Sequence, residues 1–148
     1  MRRTIWVVLA CLGLMAWGCS EGGDSPALTV ERFFATVYNN DAVTEKEIMA
    51  LAESVKNEFF HFTTDADEEE LDMALPVLIS LSSKVRGTSV EFVDVKYDVE
   101  REDGQYAEVR MHGTVRVAKG GGATFDKDLD SVYTLVKTKG KWKLSGLE

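Results

Sequence analysis

Cysteine is nearly absent. The 148 residues hold two, Cys11 and Cys19, and once the leader described below is removed only Cys19 remains, so the disulfide framework of a small secreted domain is excluded. Histidine is as scarce, with His61 and His112 alone, and no His/Cys pattern at metal-ligand spacing exists. Basic side chains are in deficit: 17 Lys and Arg stand against 25 Asp and Glu, a formal charge of −8. Nucleic acid is a poor partner for such a balance, because its affinity comes from neutralising phosphates with Lys and Arg. The whole-chain charge also opposes electrostatic adhesion to anionic lipid. The apolar run from Ile5 to Ala16, interrupted by Gly13, falls short of the ~20 residues that span a bilayer. The glycines offer no phosphate-binding loop, since Gly120 to Gly122 lies between two strand patterns rather than ahead of a helix. No cofactor is expected.

The short apolar run follows a cationic start, Met1-Arg2-Arg3, and ends at Ala16-Trp17-Gly18-Cys19. A charged segment, an apolar segment and a small residue before the cleavage point make a secretory signal. The last four residues resemble the lipobox of bacterial lipoproteins, with Gly18 in the small position and Ala16 where that family usually carries Leu. The resemblance implies that the Cys19 thiol receives a diacylglyceryl thioether and becomes the mature N-terminus. An ordinary cleaved signal with an incidental thiol is the alternative. Two or more acyl chains anchor a protein stably where one does not. With Ser20 and not Asp after the cysteine, the resemblance implies the outer membrane, on its periplasmic face, in a cell with two membranes. The expected organisation is a signal peptide at 1–18, a lipidated cysteine and flexible tether at 19–24 (Ser-Glu-Gly-Gly-Asp after the cysteine), and one domain at 25–148. Taking eighteen residues from 148 leaves 130, enough for a single core. Loss of Arg2 and Arg3 leaves 15 basic against 25 acidic side chains, a charge of −10.

Hydrophobic periodicity divides the domain in two. Ser25-Pro26 opens a helix as N-cap and first helical residue, and Ala27, Val30, Phe33, Phe34, Val37 and Tyr38 form its apolar stripe up to Asn39-Asn40-Asp41. Thr44 and Glu47 make a capping box ahead of Ile48, Leu51, Ala52, Val55, Phe59 and Phe60. Thr64 caps a third helix whose first turns carry Asp65, Asp67, Glu68, Glu69 and Glu70, as the helix dipole favours. Its expected stripe is Leu71, Ala74, Leu75, Leu78, Leu81 and Val85, with Gly87 ending it and Pro76 expected to kink or split it. From Thr88 the period becomes two. Thr88 to Glu100 slips phase between Phe92 and Val93, which predicts a β-bulge there. Ala107 to Val117, Ala123 to Lys137 and Lys141 to Leu144 complete four strands joined by turns at Glu102-Asp103-Gly104, Gly120 to Gly122 and Lys139-Gly140. Segregated helices and strands predict an α+β fold, with three N-terminal helices packed on a curved four-stranded antiparallel sheet.

The element order, the opening Val30, Phe33 and Phe34, and the closing Val132 to Leu144 with its Lys139-Gly140-Lys141-Trp142-Lys143 hairpin together resemble the nuclear-transport-factor-2-like (cystatin-like) superfamily, and within it small bacterial lipoproteins. The resemblance covers the mature chain, implies a cone of helices against a bent sheet, and carries no single activity. That superfamily includes isomerases, dehydratases, binding proteins and assembly subunits, many of which dimerise through the outer sheet face.

Its enzymes work inside the cone, so polar residues sharing the apolar phase of the strands are the candidates. Tyr97 shares a phase with Val95 and Val99, and Tyr133 with Phe125, Lys127, Leu129, Ser131 and Leu135. His112 falls in the outward phase of the second strand with Glu108, Arg110, Thr114 and Arg116, a charged stripe that permits a polar homodimer interface. The inward set offers phenols, a serine and a lysine but no carboxylate or histidine, a poor acid–base site. Asp126, Asp128 and Asp130 lack the Gly and Glu of an EF-hand loop, because Ser131 and Lys137 occupy those places. They are expected to pair across strands with Lys141 and Lys143. Tyr97, Met111, Tyr133, Trp142 and, at the end of helix two, His61 are candidates to line an apolar pocket, or else are core. The sequence therefore points to a lipid-anchored, non-catalytic domain that binds a small apolar ligand or an envelope protein. A structural subunit of an envelope complex, and an isomerase- or hydrolase-like enzyme using His61 or Tyr133, are the alternatives.

Overall fold

A computed structural model describes residues 24–82 and 87–147. The signal peptide, Cys19, most of the tether and Val85 lie outside these residues. Three helices, α1 (Pro26–Tyr38), α2 (Glu45–Phe59) and α3 (Asp65–Ser82), precede four strands, β1 (Ser89–Glu102), β2 (Tyr106–Ala118), β3 (Thr124–Thr138) and β4 (Lys141–Leu144). The strands form one open antiparallel meander in the order β1-β2-β3-β4.

Local chemistry starts each helix where the sequence predicts. The Ser25 hydroxyl accepts from the Leu28 N–H at 3.1 Å with Pro26 following. Thr44 and Glu47 satisfy each other's backbone N–H groups in a complete capping box. The Thr64 hydroxyl accepts from the Asp67 N–H at 3.2 Å. α1 ends on a side-chain clamp: buried Asn40 donates to the Val37 carbonyl at 2.6 Å and the Ile79 carbonyl at 3.4 Å, and accepts from the Ala42 N–H. One amide thereby ends α1 and ties it to α3.

α1 lies against the sheet, and its Val30, Phe33 and Val37, all 0% exposed, share one core with Ala107, Val109 and Leu135 of the sheet's inner face. Each such side chain contributes about 1.5–3 kcal/mol by leaving water. α2 leans on β4, where Phe60 bridges Leu144 and the His61 N–H donates to the Leu144 carbonyl at 2.9 Å. α3 packs chiefly on α2 and α1.

Four expectations are corrected here. α3 runs unbroken through Pro76, so the proline does not split it. Its buried face is Leu71, Leu75, Ile79 and Ser82, whereas Ala74 and Leu81 are exposed, because α3 rests on two helices instead of the sheet and turns a different face inward. The bulge falls later than Phe92/Val93: register slips between Val93 and Lys96, at Asp94 with φ 52, and again between Val99 and Arg101. Val99 is 42% exposed rather than inward, at a point where β1 runs out beside the second slip.

Candidate functional site

The inner face of the sheet and the helices leave an open apolar groove of about 620 Å³ between α1, α3 and β3. Its floor is aromatic. Phe34 meets Tyr133 edge-on at 5.4 Å and stacks beside Tyr38 at 6.1 Å, and Phe92 of β1 meets Tyr38 edge-on at 5.2 Å. Its other wall is the outer side of α3, with Met73, Val77 and Leu81 exposed by 70, 58 and 52%. These three residues recur every fourth position and form an apolar ridge. Leu147 closes one end and Glu70 brings a carboxylate to the rim. The expectation of a site with no carboxylate is thus corrected for this groove, because the acid comes from α3 and not from a strand.

The groove's polar groups are the phenols of Tyr38 and Tyr133 and the carboxylate of Glu70. Burial pushes the phenols of Tyr38 and Tyr133 above their ordinary range, Tyr133 being held partly back by its hydrogen bond with Ser131. Both stay protonated at neutral pH, able to donate a hydrogen bond and unable to act as a base. Tyr97 is half-buried and pushed up to about 12, first by burial, then by the charge of Glu31 and by Tyr133.

The predicted pocket residues do not all meet. Tyr97 and Met111 are cross-strand partners, and Met111 in turn pairs with Ser131, two residues from Tyr133. Met111 is 2% exposed and belongs to the core. Tyr133 lines the groove. Trp142 lies elsewhere, paired in register with Lys137 and buried beneath its ammonium at 5.4 Å. It borders a separate, polar hollow of about 210 Å³ with Asp24, Arg32 and Glu58. His61 is half-buried just past the end of α2, where its backbone N–H meets β4. Phe34, Tyr38, Met73 and Val77 went unassigned to a pocket in the sequence. Phe34 and Tyr38 are visible there as stripe residues, while Met73 and Val77 carry only the faint signal of apolar residues off the expected stripe.

The outer sheet face is a ladder of ion pairs. Arg110 is gripped by Glu100 at 2.5 Å and Asp130 at 2.6 Å, Arg116 by Asp126 at 2.9 Å, and His112 Nε2 lies 2.5 Å from Asp98. His112 faces outward as its phase predicts. The aspartates of β3 pair with β2, not with Lys141 and Lys143, because β4 reaches only Leu135 to Thr138 of β3. No group of three or more His, Cys, Asp or Glu side chains poised to hold a metal exists among the described residues, and no helix among them is long and apolar enough to cross a membrane.

No family model and no curated protein matches the chain. Among solved structures it is similar to the intermembrane space region of the chloroplast protein ARC6, at 14% identity and a TM-score of 0.39, covering 82% of this chain and 93% of that one. It is also similar to a variant of Rv3472, a function unknown protein from Mycobacterium tuberculosis, at 19% identity and a TM-score of 0.38, covering 80% and 71%. Both likenesses are too distant to speak for function.

Proposed function

We propose that the chain is a bacterial envelope lipoprotein, anchored through acylated Cys19, whose nuclear-transport-factor-2-like domain binds a small apolar ligand without transforming it. The observation that carries the reading is the groove of about 620 Å³ with an aromatic floor and an exposed apolar ridge. A pocket of that size falls within the range of about 300–1,000 Å³ that takes small molecules. Two neutral phenols and one rim carboxylate suit orienting a ligand better than proton transfer. The leader and its Gly18-Cys19 junction support anchoring.

Native mass spectrometry of the full-length protein, extracted from membranes of its expression host, tests both halves. The expected result is a polypeptide carrying the mass of the acyl groups and one apolar small molecule per chain. Val77→Asp, placed on the ridge and 58% exposed, should abolish ligand retention with little change in melting temperature. An empty groove that also fails to bind long-chain apolar probes refutes the ligand reading. The polar outer sheet face then becomes the surface of interest, as a contact with an envelope protein or a second copy, and charge reversal at Arg110 should disrupt it.

A further inference from the structure

We infer that the hairpin joining β3 to β4 is the face this domain turns toward a membrane surface of anionic phospholipid. The inference rests on the anchoring reading, because it takes Cys19 as the point of attachment.

The first observation is where the tether meets the body. The Asp24 carboxylate accepts from the backbone N–H of Trp142 at 2.7 Å. Trp142 is 3% exposed, so this bond fixes the tether's end to a well-packed residue of β4, the edge strand. Cys19 lies five residues before Asp24, and an extended chain covers at most about 3.6 Å per residue, so the attachment point stays within roughly 18 Å of Asp24. A domain of this length is roughly 35 Å across. The short tether therefore brings this end of the molecule within reach of the headgroups, while leaving the domain free to turn about its attachment.

The second observation is charge. Residues 137–143 contain four lysines and no acid, in a chain whose formal charge is −8. Lys139 and Lys141 are exposed. Lys137 lies over the Trp142 ring, and Lys143 donates to the Asn57 carbonyl at 2.6 Å. Among the described residues none of the four makes an ion pair, whereas Arg32, Arg110 and Arg116 are all held by carboxylates. The β1–β2 turn shares this end of the sheet, since the Lys137 N–H donates to Gln105. That turn carries Glu102 and Asp103, and Asp24 and Glu58 border the hollow beside Lys141 and Lys143, so the basic stretch is the hairpin itself, from Lys137 to Lys143.

The net charge and the local charge do different things. Screening confines electrostatics to about 10 Å at moderate salt, so an acidic protein free in solution gains nothing from four lysines. Held by a tether shorter than its own diameter, the same protein presents them to headgroups at high effective concentration.

The test uses the full-length protein reconstituted into vesicles of phosphatidylcholine with phosphatidylglycerol. Fluorescent labels at Gln105→Cys and Ala123→Cys mark the two ends of the sheet. A quencher carried on the lipid headgroups should quench the label at position 105 and spare the one at 123. The difference should disappear in pure phosphatidylcholine, and in the double variant Lys139→Glu, Lys141→Glu, while the protein stays on the vesicles. An acylated protein whose two labels are quenched alike overturns the inference and leaves the anchoring reading intact. A protein lacking the acyl mass overturns both.

Discussion

Gly113 has φ 141, and a Cβ built on it would lie 2.6 Å from the Asp94 carbonyl oxygen and 2.7 Å from the Val95 Cα. Both neighbours are backbone of the β1 bulge, so neither can swing aside. The glycine therefore permits the bulge that its partner strand makes. Gly113→Ala should cost about 2–3 kcal/mol through steric contact and strained φ, read as a lower urea midpoint. Tyr97 carries a different signature at this scale. Its folded pKa of about 12 lies above the ordinary 10.0, so its neutral form is favoured by folding. That contribution is complete below pH ~10 and is lost as pH rises toward 12. Ultraviolet titration of the folded protein should show a phenol ionising late, and Tyr97→Phe should remove that step and soften alkaline unfolding.

Between elements, Lys56 is the clasp of α2 on α3. Its ammonium lies 2.8 Å from Asp72, 3.2 Å from Glu68 and 3.4 Å from Glu53, and the residue is 8% exposed. The hydrogen bond to Asp72 raises its pKa despite the opposing cost of burial, with Glu68 and Glu53 adding to the rise. A base whose folded pKa is raised contributes fully below its ordinary value of 10.5 and loses that contribution as pH climbs through the folded value. Lys56→Met leaves three carboxylates crowded together, each about half exposed and able to rehydrate. A loss of about 1–2 kcal/mol is expected, between the values for surface and buried pairs. Denaturant melts at neutral pH measure it, and a variant as stable as the parent would show the clasp to be idle.

At the scale of the whole molecule, helices and sheet cover one another incompletely. α3 sits on the other helices, and the gap between it and the sheet is the groove. Asp24 stitches the tether to the hairpin at the opposite side of the body from the β2–β3 turn. Asp24→Ala removes one charge-assisted hydrogen bond, so stability should fall by about 1.5–3 kcal/mol. Retention of the labelled hairpin near a vesicle surface should weaken more visibly than the melt does.

Periodicity, caps and turns alone determined seven elements, their order and most of their ends, because those are local matters decided within a few residues. The Thr44–Glu47 box, the Asp103–Gly104 turn and the outward phase of His112 needed no partner to be read. Tertiary packing decided the rest. Which face α3 buries depends on whether it meets a sheet or two helices, and so does whether Met73 and Val77 belong to a core or a groove wall. Which β3 residues meet β4 depends on strand length and pairing. The four residues of β4 reach only Leu135 to Thr138, which separates Asp126 and Asp130 from Lys141 and Lys143. The slip of β1 along β2 in turn needs Gly113 on the neighbouring strand. The pairing of Lys56 with Asp72 and of Asp24 with Trp142 joins residues distant in sequence, and no local pattern encodes such a contact.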